Sequence, residues 1–179
     1  MKIMNDKLHC CCFFGHRKIK ETNELKQAVY DTVKYLIANK GINIFLFGSK
    51  SQFNDLCYSI VTELKKIYPY VKRIYVRAEF PYIDDLYRNC LLERFEDTYY
   101  PEKMVSAGKA AYVERNYEMI NNSKYCVIYY DESYAPPKRK NSHKNLTAYQ
   151  PQSGTKLAYE YAAKKCVVIN TYKHTVIPD

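Results

Sequence analysis

The segment LHCCCFFGHR (8–17) decides the fold that the sequence predicts. Residues 8–14 are almost continuously apolar, which is typical of a central parallel strand buried on both faces of a sheet. Gly15, His16 and Arg17 follow directly. In open parallel sheets, ligands bind beyond the carboxyl ends of the strands. We therefore expect this glycine, imidazole and guanidinium to lie at a ligand site.

The rest of the chain alternates between helical and extended patterns. Helical spacing of apolar residues predicts helices within 22–41, 53–67, 83–95, 111–121 and 153–164, and the extended segments are INIFLF (42–47), RIYVRA (73–78), YCVIYY (125–130) and CVVIN (166–170). This alternation predicts an α/β fold with a mainly parallel five-stranded sheet and helices on both faces. We expect one domain over residues 1–179, with its core in about 8–172 and a long loop at 131–152.

Composition excludes several classes of protein. The hydrophobic share of 47% and the charged share of 26% are those of an ordinary soluble chain. The first apolar run is too short for a signal peptide or a membrane span, so no membrane partner is expected. Seven cysteines without a C-x-x-C pair predict reduced thiols in a cytoplasm.

A formal charge of +9 raises the question of nucleic-acid binding. Basic residues are spread widely, however, and only Lys138-Arg139-Lys140 forms a dense cluster. With 20 tyrosines and no tryptophan, the composition is that expected of an AT-rich genome. We favour compositional drift over a nucleic-acid footprint.

The segment Ser153-Gly154-Thr155 opens the last predicted helix and is a candidate phosphate cradle. Free N–H groups at a helix start attract anions, and glycine allows close approach of a ligand. The alternative is a simple N-cap with a tight turn. A second glycine-bearing segment, Gly48-Ser49, ends the second strand and is a candidate for the base or ribose side of the same site.

Arg115 is the candidate anion-binding side chain. On its helix Tyr112, Arg115, Asn116 and Met119 share one face, at spacings of three to four residues. Because that face contains apolar residues, the guanidinium lies at or near the buried side and needs an anionic partner. That partner is either a ligand phosphate, which a guanidinium matches bidentately, or a carboxylate such as Glu160. We favour the phosphate.

Other candidate constellations are weaker. Cys10-Cys11-Cys12 alternate across a strand, and His9, His143 and His174 lack ligand spacing, so no metal site and no cofactor are predicted. Glu79, just beyond the third strand, is a candidate acceptor for a ribose hydroxyl, although a surface carboxylate is the simpler interpretation.

These segments, in this order, resemble the SLOG superfamily, the Rossmann-like group that includes DprA/Smf proteins and LOG hydrolases, and most closely its YpsA-type branch. The matching pieces are CFFGHR (12–17), FG (47–48), FNDLC (53–57), YVERNYEMI (112–120) and SGT (153–155). The resemblance implies a Rossmann-like, doubly wound sheet that binds nucleotides or their derivatives, including ADP-ribose-like signals. It also implies a homodimer or larger homo-oligomer.

The LOG hydrolases in this group cleave the N-glycosidic bond of a nucleoside monophosphate. Their arginine before a methionine is matched by Arg115 and Met119, but their glutamate after the Gly-Thr pair falls here on Leu157 and Ala158. Glu160 lies further along the helix. Because stabilisation of an oxocarbenium ion and activation of water need a carboxylate at a fixed position, the departure favours binding over hydrolysis.

Three functions follow. The first is a sensor, carrier or sponge that binds a phosphorylated nucleotide-derived small molecule. The second is a phosphoribohydrolase in which Arg115 acts together with Glu160 or Glu114. The third, by analogy with the DprA branch, is a DNA-associated protein that uses residues 138–144 and Tyr149 as a strip for backbone contact and stacking.

Overall fold

The computed structural model describes residues 7–104, 110–134 and 153–173. Most of the predicted loop at 131–152, including the basic cluster at 138–140, lies outside the described residues, as do His143, Tyr149 and His174.

A single all-parallel sheet forms the centre of the described fold. Its strands, in chain order, are β1 Cys10–Gly15, β2 Ile44–Phe47, β3 Lys72–Val76, β4 Asp97–Tyr99, β5 Tyr125–Tyr129 and β6 Val167–Asn170. Their spatial order is β4-β3-β2-β1-β5-β6. This is a Rossmann-like, doubly wound arrangement, as expected.

The described residues contain five α-helices, which follow the predicted segments closely. They are α1 Asn23–Lys40, α2 Gln52–Ile67, α3 Asp85–Leu92, α4 Ala111–Asn121 and α5 Gly154–Ala162, with short 3-10 helices at Lys7–His9 and Glu102–Met104. No helix in the described ranges is long and apolar enough to cross a bilayer.

The expectation of five strands is wrong, because β4 adds a sixth strand at the edge of the sheet. Its three residues are only half-buried and form no apolar run, so strand patterning misses them. The strand is defined by pairing with β3, in the register Ile74↔Asp97 to Val76↔Tyr99. The Thr98 hydroxyl adds a 2.9 Å hydrogen bond to the Tyr75 carbonyl.

Helices cover both faces of the sheet, and β1 contributes to both hydrophobic layers. Cys11 and Phe13 pack in the layer of α1 and α2, whereas Cys10, Cys12 and Phe14 pack in the layer of α4 and α5. All five side chains are at most 2% exposed. The continuous apolar run in β1 is therefore a consequence of burial on both faces.

Both ends of α1 are capped by residues whose types favour helix ends. The Thr22 hydroxyl accepts a 3.1 Å hydrogen bond from the backbone N–H of Leu25, which caps the helix start. Gly41 follows the helix with φ of 68°, a left-handed conformation that glycine adopts without steric cost.

The strand order reverses between β1 and β5. From β1 the chain winds outward through β2, β3 and β4, and it then returns to the other side of β1 to form β5 and β6. This reversal is the topological switch point, which is where sheets of this kind bind their ligands. Gly15 and His16 stand at the end of β1, and Tyr130 and Asp131 at the end of β5.

Candidate functional site

The predicted site residues lie at the carboxyl edge of the sheet, in two groups. One group stands at the ends of β2 and β3 and contains Gly48, Ser49 and the residues of α4. The other stands at the switch point between β1 and β5, with the start of α5 following β5 along the chain. Because α4 and α5 each lead into a parallel strand, both helices begin at this edge.

Arg115 spans the ends of two strands beneath the start of α4. Its side chain is 4% exposed. The Nη1 group donates to the carbonyl of Gly48 and, at 3.4 Å, to that of Val76, and Nε donates to Asn116 Oδ1 at 2.9 Å. The expected inner position of Arg115 is confirmed and Asn116 is half-buried, but Tyr112, which was expected on the same face, is exposed.

The charge of Arg115 has no carboxylate ion partner among the described residues. Burial lowers the pKa of Arg115 to about 10, with a weak opposing effect of Tyr75 and Glu79. The guanidinium is therefore still charged at neutral pH. A buried cation held by neutral carbonyl groups is electrostatically suited to accept an anion.

A partly exposed group of side chains lies beside Arg115. The hydroxyl of Tyr112 donates to Glu79 Oε1, and Glu79 Oε2 lies 3.9 Å from Lys50 Nζ. The Arg115 guanidinium stands over the ring of Tyr112, 5.8 Å from its centroid. Tyr112 and Glu79 are exposed and Ser49 is half-buried, so polar atoms of all three are available at the surface of this edge.

The side chain of His16 occupies the switch point itself. It is 2% exposed, and its Nε2 accepts a 2.9 Å hydrogen bond from the backbone N–H of Asp131. The imidazole stacks on the ring of Tyr134 with centroids 3.9 Å apart, and Tyr129 and Tyr130 approach it at 6.1 and 5.9 Å. Burial lowers the pKa of His16 and so favours the neutral ring, and the charge of Asp131 opposes this shift only in part.

The two neighbours of His16 in the sequence have structural contacts. Gly15 lies against α2, where an added Cβ would be 2.4 Å from the Phe53 Cβ. The carbonyl of Arg17 accepts a 3.0 Å hydrogen bond from the backbone N–H of Gln52 at the start of α2, while the Arg17 side chain is exposed. Both residues thus fix α2 against the end of β1.

The start of α5 combines the two interpretations offered by the sequence. The Ser153 hydroxyl accepts a 3.1 Å hydrogen bond from the backbone N–H of Lys156, so it is the N-cap of the helix. Gly154 is exposed, with no atom within 4 Å of a Cβ built there, and Thr155 is half-buried. A side chain at residue 154 would therefore meet no described atom, while the N–H of Lys156 is already bonded to the Ser153 cap.

Helices α4 and α5 lie side by side on the same face of the sheet. Tyr117 and Tyr161 stack with their ring centroids 4.0 Å apart, and the Tyr161 hydroxyl donates to Asn121 Oδ1 at 3.1 Å. This packing holds α4 and α5 together, and both helices begin at the same edge of the sheet.

Glu160 lies two turns into α5, on its exposed side. Its carboxylate is 3.9 Å from Lys156 Nζ, in an i,i+4 pair. Ala158, at one of the positions where the LOG hydrolases carry their glutamate, is 1% exposed and packs in the core. Within the described part of the chain, no carboxylate of α5 forms an ion pair with Arg115.

Sequence reasoning missed the residues that surround His16. Asp131 and Tyr134 belong to a turn directly after β5, in which the Asp131 carboxylate accepts hydrogen bonds from the backbone N–H and the hydroxyl of Ser133 at 2.9 and 2.6 Å. The signal was available, because residues 131–134 directly follow a central strand at the switch point.

In the described ranges, no group of three or more His, Cys, Asp or Glu side chains is placed to hold an ion. The proposed nucleic-acid strip at 138–144 with Tyr149 lies outside the described ranges.

No family model matches the chain, and no curated protein is significantly similar to it in sequence.

Proposed function

We propose that the carboxyl edge of this sheet binds a phosphorylated, nucleotide-derived small molecule, and that the protein acts as a sensor, carrier or sponge for it. The observation that carries the proposal is the buried guanidinium of Arg115, which has no carboxylate ion partner among the described residues. An anionic ligand would complete its charge balance, and phosphate accepts two parallel N–H bonds from a guanidinium.

The surroundings of Arg115 support a nucleotide rather than a bare anion. The start of α5, with the Thr155 hydroxyl beside it, is the positive end of a helix and suits a phosphate. Tyr112 offers a half-exposed aromatic ring, and Glu79 offers a carboxylate that suits a ribose hydroxyl. The strand order also reverses at this edge, and doubly wound sheets bind nucleotides at such a reversal.

Binding is a better proposal than hydrolysis for the same ligand. Residues 157 and 158 of α5 carry no carboxylate, and Glu160 is exposed and paired with Lys156. Incubation with AMP, IMP or GMP should therefore release no free base. Release of a base from any of them would replace the binding proposal with the phosphoribohydrolase. Membership in the SLOG superfamily, suggested by the resemblance, remains part of this proposal.

Arg115→Ala tests the proposal directly. A thermal-shift screen of nucleoside phosphates, ADP-ribose, cyclic ADP-ribose isomers and NAD first identifies a ligand, which at a hundred times its Kd stabilises the fold by about 2.7 kcal/mol. Titration calorimetry then compares variants. We expect Arg115→Ala to weaken binding about 10- to 100-fold, since hydrogen bonds to charged groups contribute about 1.5–3 kcal/mol.

Two further variants control that experiment. Arg88→Ala removes an exposed arginine of α3 and should leave affinity unchanged. Arg115→Lys keeps the charge but loses the planar fork, so it should bind with intermediate affinity. Circular dichroism of each variant checks that the fold is intact. Equal affinity of wild type and a folded Arg115→Ala variant would contradict the assignment.

The compartment and the oligomeric state of the protein belong to the same proposal. All seven cysteines are free thiols, which supports a reducing compartment such as the cytoplasm.

The segment before and within α3 exposes three large apolar side chains, Phe80, Tyr82 and Leu86, by 60%, 92% and 76%. This apolar surface supports a homo-oligomer. Sedimentation velocity over a range of protein concentrations measures the assembly state.

A further inference from the structure

The imidazole of His16 has one ring nitrogen whose hydrogen bond is missing. Because Nε2 accepts from the backbone N–H of Asp131, it carries no proton, and the neutral ring must carry its proton on Nδ1. That Nδ1–H is buried and has no hydrogen-bond partner within the described part of the chain. A buried donor left unpaired is destabilising, so a residue with this geometry calls for an acceptor that is supplied from elsewhere.

The face of the same imidazole is covered by one removable ring. Tyr129 and Tyr130 belong to β5 and its end, are each 8% exposed and are fixed by the sheet. Tyr134 is different, because it is half-buried and sits on a surface turn whose neighbouring residues, Glu132 and Ser133, are exposed. It is also the ring that lies parallel to the imidazole, at 22° and 3.9 Å.

The turn that carries Tyr134 does not depend on the Tyr134 side chain. It is closed by the backbone N–H of Tyr134, which donates to the Asp131 carbonyl at 3.1 Å, and by the bonds from Ser133 to the Asp131 carboxylate. Rotation about the side-chain torsions of Tyr134 would therefore uncover the imidazole without breaking the turn.

We propose that the Tyr134 ring occupies the place of a ligand's base, and that a nucleoside displaces it, stacks on His16 and accepts the Nδ1–H bond through an oxygen of its sugar. The ligand class follows from the two interactions that the imidazole can make once Tyr134 has moved. A planar ring satisfies the uncovered face, and an oxygen attached beside that ring satisfies the in-plane donor. A planar base joined to a sugar has both.

This inference rests on the proposed function, since it assigns the base and sugar of the same nucleotide-derived ligand. Adjacent parallel strands are about 4.8 Å apart, so the end of β2 at Gly48 and the end of β5 at Asp131 are separated by two such spacings, roughly 10 Å. One nucleotide can therefore extend along the edge from the switch point toward Arg115.

The experiment uses two probes that separate the base from the phosphate. Adenosine carries a base and no phosphate, and ribose 5-phosphate carries a phosphate and no base. Calorimetric titrations of the full-length protein are made for wild type, Tyr134→Ala, Tyr134→Phe and Tyr70→Ala. The last removes a tyrosine that is 57% exposed and lies between α2 and β3, at the opposite edge of the sheet from the switch point, and it serves as the matched control.

We expect Tyr134→Ala to bind adenosine about twofold to tenfold more tightly than wild type, because the competing stack no longer lowers the fraction of binding-competent protein. Tyr134→Phe keeps the stack and should match wild type, as should Tyr70→Ala. Ribose 5-phosphate should bind all four proteins equally. His16→Phe keeps an aromatic face but lacks the donor, and should bind adenosine about tenfold more weakly.

Adenosine binding that is unchanged or weaker in Tyr134→Ala would overturn the displacement, and so would the absence of adenosine binding to both wild type and Tyr134→Ala. These failures are distinct from failure of the proposed function. The latter would appear as ribose 5-phosphate or nucleotide binding that does not depend on Arg115, whatever the adenosine results.

Discussion

Arg115 and Gly48 are in direct contact at the end of β2. The guanidinium Nη1 donates to the Gly48 carbonyl, and a Cβ built on residue 48 would lie 2.7 Å from that nitrogen. The same Cβ would lie 2.8 Å from the carbonyl oxygen of Val76, which is backbone of the neighbouring strand and cannot rotate away. The absence of a side chain at position 48 is thus what allows the arginine to reach both strand ends.

Gly48→Ala should therefore disturb stability and ligand binding together. Forcing a methyl group into this contact should lower the free energy of unfolding by about 1–3 kcal/mol, as overpacking usually does. Because Arg115 must move, the affinity for a phosphorylated ligand should fall as well. Urea denaturation and calorimetry measure the two effects.

Gly154→Ala is the matched control for that substitution. Nothing lies within 4 Å of a Cβ at residue 154, and its φ is not positive, so the alanine should leave stability unchanged or raise it slightly. A Gly48→Ala protein as stable as Gly154→Ala would show that the strand ends can relax around a side chain.

Gly15 shows where reasoning from the sequence reaches its limit. A glycine at the end of the first strand suggests close approach of a ligand. In the structure, however, the group that approaches it is Phe53 on α2, the second helix after β1. Strand β1 and its double-sided burial follow from a local apolar run, and the inner position of Arg115 follows from helical spacing. The Phe53 contact, like the His16–Tyr134 stack, depends on how distant segments pack, which no local pattern encodes.

The capping role of Ser153 predicts a stability effect that is independent of any ligand. Ser153→Ala removes the acceptor for the Lys156 N–H and should lower the free energy of unfolding of the ligand-free protein by about 1 kcal/mol. Thr22→Ala removes the equivalent cap of α1 and should have a similar effect.

Comparing these two variants separates the cap from the binding site. Thermal unfolding without ligand should shift alike for both. Since the first N–H groups of α5 are expected to hold the phosphate, ligand affinity should fall in Ser153→Ala and stay unchanged in Thr22→Ala. Equal affinities in the two variants would leave Ser153 as a helix cap without a role in the site.

Glu96 pairs with Arg73 at the β4 edge of the sheet. This contact should make the stability of the fold depend on pH. Burial alone would raise the pKa of Glu96, but the hydrogen bonds and charge of Arg73, helped by Lys65, hold it below its usual value. The Glu96 carboxylate accepts from Arg73 Nη2 at 2.7 Å and from the Arg73 backbone N–H at 2.6 Å. It joins β3 to the start of β4.

A carboxyl group whose pKa is lower in the folded protein stabilises the fold above its unfolded pKa, and the stabilisation is lost as the pH falls through the folded value. Wild type should therefore lose more stability than Glu96→Gln on acidification from pH 7 to pH 3. At pH 7 the substitution should lower the free energy of unfolding by about 1–2 kcal/mol. Parallel pH profiles of the two proteins would contradict the assignment.

The cysteines should differ sharply in reactivity, according to their burial. Five thiols lie in the core, whereas Cys90 is exposed and Cys166 is half-buried. Alkylation of the native protein with iodoacetamide, followed by mass spectrometry, should modify Cys90 and Cys166 first. Burial raises the pKa of the Cys11 and Cys57 thiols, so these should react only on unfolding.

Cys166 should react at a lower pH than free cysteine does. A hydrogen bond with the Cys126 thiol lowers the pKa of Cys166, and because the thiolate is the nucleophile, its reaction should persist as the pH is reduced below about 8.5, the ordinary value. Cys126→Ala removes that bond and should shift the rate profile of Cys166 back upward, while the Cys90 profile in the same sample stays fixed. Labelling of the three cysteines of β1 at the rate of Cys166 would instead mean that the central strand is accessible in the native state, which its complete burial forbids.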